Sequence, residues 1–172
     1  MAGLVPAIHV LFSCRIKKDV DARHKAGHDE GTCMPASAWS LHSQLKKDTI
    51  DIGDLPLSRV LVIKDAHYPW LLLVPRRDGA EEIIDLDEVE QAQLMAEVSR
   101  VGRALKEVTQ CDKLNIAALG NLVPQLHVHV IARRTSDAAW PRPVWGVMPP
   151  LAHDAEEVQT FISALRRKIW LG

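Results

Sequence analysis

The chain has 172 residues, 47% of them hydrophobic and 25% charged, which is the make-up of one ordinary globular domain with room for a short tail. A net charge of -1 excludes a global pull toward nucleic acid or acidic membranes, so any phosphate recognition has to be local. The three cysteines, Cys14, Cys33 and Cys111, form no close pair and exclude a disulfide framework, which points to a reducing cytoplasm, and no apolar run is long enough to span a bilayer.

Residues 1–37 read differently from the rest. Leu4–Phe12 is apolar but is interrupted by Pro6 and His9. No basic residue precedes it and no small-residue cleavage site follows, so a secretory signal fits poorly. Residues 15–31 are polar and without period. Cys14, His24, His28 and Cys33 are zinc-ligand types, but they lack a tight cysteine pair. The expectation is a flexible extension, or a start assigned too early with Met34 as the first residue. The folded domain is expected over 38–172.

Order begins at Trp39. Leu41–Lys47 reads as a short turn or helix, and Thr49–Ile52 as a short strand closed by Gly53-Asp54. Ser58–Lys64 is a β-branched strand, Asp65–Pro69 a turn, and Trp70–Val74 a second strand stopped by Pro75. These two form an antiparallel hairpin whose continuous apolar runs predict a central position. Asp87 with Glu90 makes a capping box, and Leu94, Val98, Val101, Leu105 and Val108 recur at helical spacing, so a helix with one core face spans 88–109. Lys113–Leu119 reads as a strand and Gly120-Asn121 as a turn.

Leu126–Arg133 then alternates with period two. Leu126, Val128 and Val130 share one face; Gln125, His127 and His129 share the other. Trp140–Gly146 is too rich in proline for regular structure and reads as an arm with half-buried tryptophans. A last helix starts at Asp154, with Glu157 as a second capping box and Val158, Phe161, Ile162, Leu165 and Ile169 as its apolar stripe. Strands before and after one helix predict an antiparallel sheet with helix on one face, an α+β plan.

The histidine row is open to two chemistries. A neutral imidazole attacks an electrophilic phosphorus and forms a phosphoramidate that water later opens. That role needs a group holding the proton on the far ring nitrogen, and a backbone carbonyl near Gln125 is placed to do so. His129 would contact phosphate oxygens or the departing group, and the Gly120-Asn121 turn with Arg133 or Arg134 would bind negative charge. Alternatively, His-x-His on a strand aims two ligands at a transition metal. No Glu, Asp, His or Cys follows between Val130 and Ser136, and only a residue such as His67 or Cys111 brought in by folding would complete that set.

The stretch Gly120-Asn121-Leu122-Val123-Pro124-Gln125-Leu126-His127-Val128-His129-Val130-Ile131 resembles the histidine triad (HIT) family motif, His-φ-His-φ-His-φ-φ with φ apolar after a glycine-containing turn. The resemblance covers roughly Thr49 to Arg134. It implies an α+β HIT-like fold of about five antiparallel strands with two main helices, forming a homodimer. It implies nucleotide hydrolysis or nucleotidyl transfer at the α-phosphate, with no cofactor, no metal and no nucleic-acid or membrane partner. By the same resemblance His127 is the nucleophile and His129 a phosphate or leaving-group contact. Asn115, Gly120, Asn121 and Gln125 are substrate contacts, and Asp65 a ribose contact. The sequence departs from the motif at Gln125, at Asn121, at Leu122 in place of a hydroxyl residue, and at Trp70, where the family often has a further histidine. Those departures motivate an alternative, a nucleotide-binding protein with little or no turnover.

Overall fold

The computed structural model describes residues 39–171, so the expectations for residues 1–37, including the zinc-ligand types there, lie outside the described residues. Helix α1 (Ser43–Asp48) leads into strands β1 (Thr49–Asp54), β2 (Ser58–Ile63) and β3 (Trp70–Pro75). Helix α2 (Glu88–Thr109) is followed by β4 (Lys113–Ala118), β5 (Val128–Arg133) and helix α3 (Ala155–Trp170). The five strands form one antiparallel sheet in the order β1-β2-β3-β5-β4.

The predicted capping chemistry sets the helix starts. Asp87 accepts from the Glu90 N–H and the Glu90 side chain bonds back, so the box is complete at α2. At α3, Asp154 accepts from the N–H groups of Glu156 and Glu157, and only this half of the expected box forms. β3 is buried along its whole length, as its unbroken apolar run predicts, because it lies third of five strands.

Alternation divides the core in two. On one face Val60, Val62, Leu71, Leu73, Leu126, Val128 and Val130 pack against Leu94, Val98, Val101 and Leu105 of α2 and against Val158, Ile162, Leu165 and Ile169 of α3. On the other, Leu61, Leu72, Val74, Trp70 and Ile131 meet Leu45 of α1, Tyr68 and Val144. The second face carries His127 and His129, and its cover is thinner: one six-residue helix and the 135–151 arm.

Two polar devices hold the layers in register. Glu97 of α2 is buried, and its carboxylate accepts from the N–H groups of Leu57 and Ser58 at 2.7 and 2.9 Å, fastening the helix to the β1–β2 turn. Gly53 has φ +138°, where the register of β1 on β2 shifts, and a Cβ there would lie 3.0 Å from the Trp170 ring of α3.

The histidine strand is shorter than its alternation predicts. Extending the β3–β5 register would set Leu126 opposite Pro75, which has no N–H to give. Leu126 instead donates to the Ala80 carbonyl, and the ladder starts at Val128.

Candidate active site

His127 and His129 lie side by side on the thinly covered face, both buried, with ring centroids 4.9 Å apart. Each ring's protonation is fixed by a partner with only one possible role. His127 Nδ1 sits 2.7 Å from the Gln125 carbonyl oxygen. A carbonyl only accepts, so Nδ1 carries a proton, and in the neutral ring Nε2 keeps the lone pair. This is the carbonyl restraint expected from the sequence. His129 Nδ1 lies 2.9 Å from the Trp70 indole nitrogen. An indole only donates, so His129 Nδ1 is the acceptor and the neutral ring carries its proton on Nε2. The two imidazoles therefore present opposite properties: a bare nitrogen on His127 and an N–H on His129.

Burial, reinforced by the neighbouring His127, pushes the His129 pKa down to about 4. His129 is thus neutral at physiological pH. Trp145 from the arm packs edge-on against both His129 and Trp70, with centroids 5.3 and 5.4 Å away at angles of 89° and 90°.

A cleft of about 710 Å³ opens over these rings. Its apolar wall comes from Leu45, Ile63, Leu72, Trp70 and Trp145. Its remaining lining includes His42, Gln44 and Asp48 on one side and Leu119, Asn121 and Leu122 on the other. That is the shape of a small-molecule site: an apolar trough with a few placed polar groups.

The expected site residues divide into two groups. His127, His129 and Asn121 line the cleft, and Gly120 lies in the loop that forms its rim. Gln125 contributes its carbonyl, while its side chain turns away and bonds residues 40–42. Asn115 and Asp65 are not among the lining residues. Asn115 Oδ1 accepts from the Arg133 guanidinium at 2.6 Å. Asp65 is buried and accepts from the N–H groups of His67 and Leu151, pinning the C-terminal arm to the β2–β3 turn. Arg133, expected as an anion contact, is 1% exposed and spends its donors on Asp137, Asn115 and the Arg142 carbonyl. Arg134 bonds the Thr109 carbonyl, Arg77 pairs with Glu90, and Arg76 caps the carbonyls of Leu55, Pro56 and Leu57. The anion-binding capacity of the cleft therefore rests on neutral N–H donors.

Two cleft residues were not singled out from the sequence: Trp145, which packs on His129 and Trp70, and His42, which is exposed; both line the cleft. No local signal marks them. His42 reaches the site through a bond to Gln125 across 83 positions. Among the described residues no three His, Cys, Asp or Glu side chains converge as a metal site.

A family model described as the HIT domain matches residues 44–136. The chain belongs to the HIT domain family. Among solved structures, this HIT chain is similar to a histidine triad protein from Bradyrhizobium japonicum, with 86% identity and a TM-score of 0.77 over 77% of this chain and 99% of that one. It is also similar to a histidine triad protein from Sinorhizobium meliloti, 42% identical with a TM-score of 0.75 over 77% and 98% of the two chains. Curated relatives from two Mycobacterium tuberculosis strains, described as AP-4-A phosphorylase, are 33% identical over 103 residues. That match covers 53% of this chain and 52% of the relative, so the chain spans about half the length of the curated relatives it matches.

Proposed function

We propose that this HIT protein is a nucleotide-processing enzyme, a hydrolase or nucleotidyl transferase acting at the α-phosphate, with His127 as nucleophile. The observation that carries the reading is the Gln125 carbonyl held 2.7 Å from His127 Nδ1, which in the neutral ring puts the lone pair on Nε2 of a histidine that lines the cleft. Family membership and the AP-4-A phosphorylase relatives support the nucleotide substrate class, either a dinucleoside polyphosphate or a nucleoside phosphoramidate.

The Nε2 lone pair forms a bond to phosphorus while the bond from phosphorus to the leaving group breaks and its electron pair departs with that group, a polyphosphate leaving as an anion and an amine taking a proton from solvent as it leaves. The ring becomes a positively charged N-phosphoryl imidazolium that still bears its Nδ1 proton. Its bond to the Gln125 carbonyl is then charge-assisted, so the same contact is stronger in the transition state than in the resting enzyme. His129 Nε2–H donates a hydrogen bond to a phosphate oxygen without giving up its proton. Water, or an acceptor, then attacks phosphorus; the Nε2–P bond breaks, its pair returns to Nε2, and the attacking group loses its proton to solvent.

The test is a quench in alkali after mixing protein with a labelled nucleotide panel. Label is expected on His127 and absent from His127→Ala. A second reading, a nucleotide-binding protein with little turnover, is favoured by Leu122. This residue is 95% exposed at the rim and offers no hydroxyl to a leaving group. Nucleotide binding by wild type, with any turnover unchanged in His127→Ala and no label, would select it.

The expected homodimer has a candidate surface in β4, an edge strand of the sheet on which Ile116 is 52% exposed. Sedimentation of the protein tests that association. Among the described residues no helix is long and apolar enough to cross a membrane. The cytoplasmic placement rests on the lack of closely spaced cysteines in the sequence.

A further inference from the structure

The cleft contains an imidazole that the nucleotide reading leaves without a task. His42 lines it together with His127 and His129. It is the N-cap of α1, and its Nδ1 accepts from the Gln44 N–H at 3.2 Å. A ring nitrogen that accepts carries no proton, so the neutral His42 ring holds its hydrogen on Nε2. No described residue takes that Nε2–H.

Gln125 ties down the backbone that carries this ring. Its Oε1 accepts from the His42 N–H at 2.9 Å, and its Nε2 donates to the Ser40 carbonyl at 2.9 Å. Its own carbonyl holds the His127 ring. One residue therefore anchors the backbone that carries one imidazole, through its side chain, and holds the ring of another, through its carbonyl. His42 is tied to position 125, two residues before His127, and the two histidines line one cleft. That shared space is where a phosphorus attacked by His127 would carry its other oxygens.

We propose that His42 is a third substrate-contacting imidazole, donating from Nε2–H to a phosphate oxygen of the nucleotide held at His127, and that Gln125 is the residue that positions it. This rests on the nucleotide reading above. Where the family motif has its first histidine, this chain has an amide that brings in a histidine from another element.

The experiment is calorimetric binding of four nucleoside 5′-monophosphates and their parent nucleosides to wild type, His42→Asn and Gln125→Leu. Asparagine keeps a capping oxygen for the Gln44 N–H but is too short to replace the ring, so α1 is retained. For the monophosphate that binds wild type best, both variants are expected to bind about 10- to 100-fold more weakly, the worth of one hydrogen bond to an anionic oxygen. The parent nucleoside should bind all three proteins alike. Unchanged monophosphate binding by His42→Asn overturns the proposal, and so does an equal loss for the nucleoside. If wild type takes label on His127 while His42→Asn binds normally, only this proposal falls. If wild type binds no monophosphate and takes no label, the nucleotide reading falls and this proposal with it.

Discussion

Replacing Trp70 by Phe tests the division of labour between the two buried imidazoles. The indole N–H donates to His129 Nδ1 at 2.9 Å, a bond available only while that nitrogen is unprotonated. Protonating Nδ1 would set donor against donor, so the bond favours the neutral ring, in the same direction as the burial and the neighbouring His127 that hold the pKa at about 4. A neutral hydrogen bond of this kind contributes about 1 kcal/mol net, and 1.36 kcal/mol corresponds to one pH unit. Trp70→Phe should therefore raise the His129 midpoint by about 0.7 units, and more if water enters the space the indole vacates. The assay is an NMR titration of the ¹⁵N-labelled imidazoles, which reports tautomer and midpoint together. Wild-type His129 is expected as the Nε2–H tautomer, titrating near pH 4. An ordinary midpoint near 6.5, or an Nδ1–H tautomer in the wild type, would refute the reasoning. So would a variant midpoint that moves down.

The same residue gives the fold a pH dependence. Below about pH 6.5 the unfolded chain binds a proton at position 129 that the folded chain refuses until about pH 4, so stability falls as pH drops through that window. Between pH 6.5 and 5 the loss from this group is about 2 kcal/mol, read from urea unfolding at the two pH values. A His129→Asn protein should lack that part of the slope, and an unchanged slope would count against it. Glu97→Leu removes the acceptor of two buried N–H groups at the β1–β2 turn. It should cost about 3 kcal/mol, seen as a lower urea midpoint with an unchanged m-value.

Most of the fold could be read from the chain because its determinants are local. The capping box at Asp87, the helical spacing from Leu94 to Val108, the apolar run of Trp70–Val74 and the alternation across Leu126–Val130 each state a periodicity, and burial follows from periodicity. Turns and prolines supplied most boundaries; the start of β5 is an exception, since Pro75 acts on it from a neighbouring strand. The pairing of the two histidines was legible for the same reason: an alternating segment must place His127 and His129 on one face, whatever packs there.

What surrounds those rings was decided elsewhere. Arg133 follows the histidines on the same face, and from sequence it looks like an anion contact, yet Asp137 and Asn115 claim it. Asp65 is a ribose contact by the family resemblance, yet the Leu151 N–H of a distant arm donates to it. Trp145 and His42 enter the cleft from positions 18 and 85 residues away from His127, where no pattern links them. A side chain's periodicity fixes which face it occupies. Its hydrogen-bond partner depends on which distant donor or acceptor the closed fold brings within about 3 Å, and that is settled only when the sheet, α1 and the arm come together.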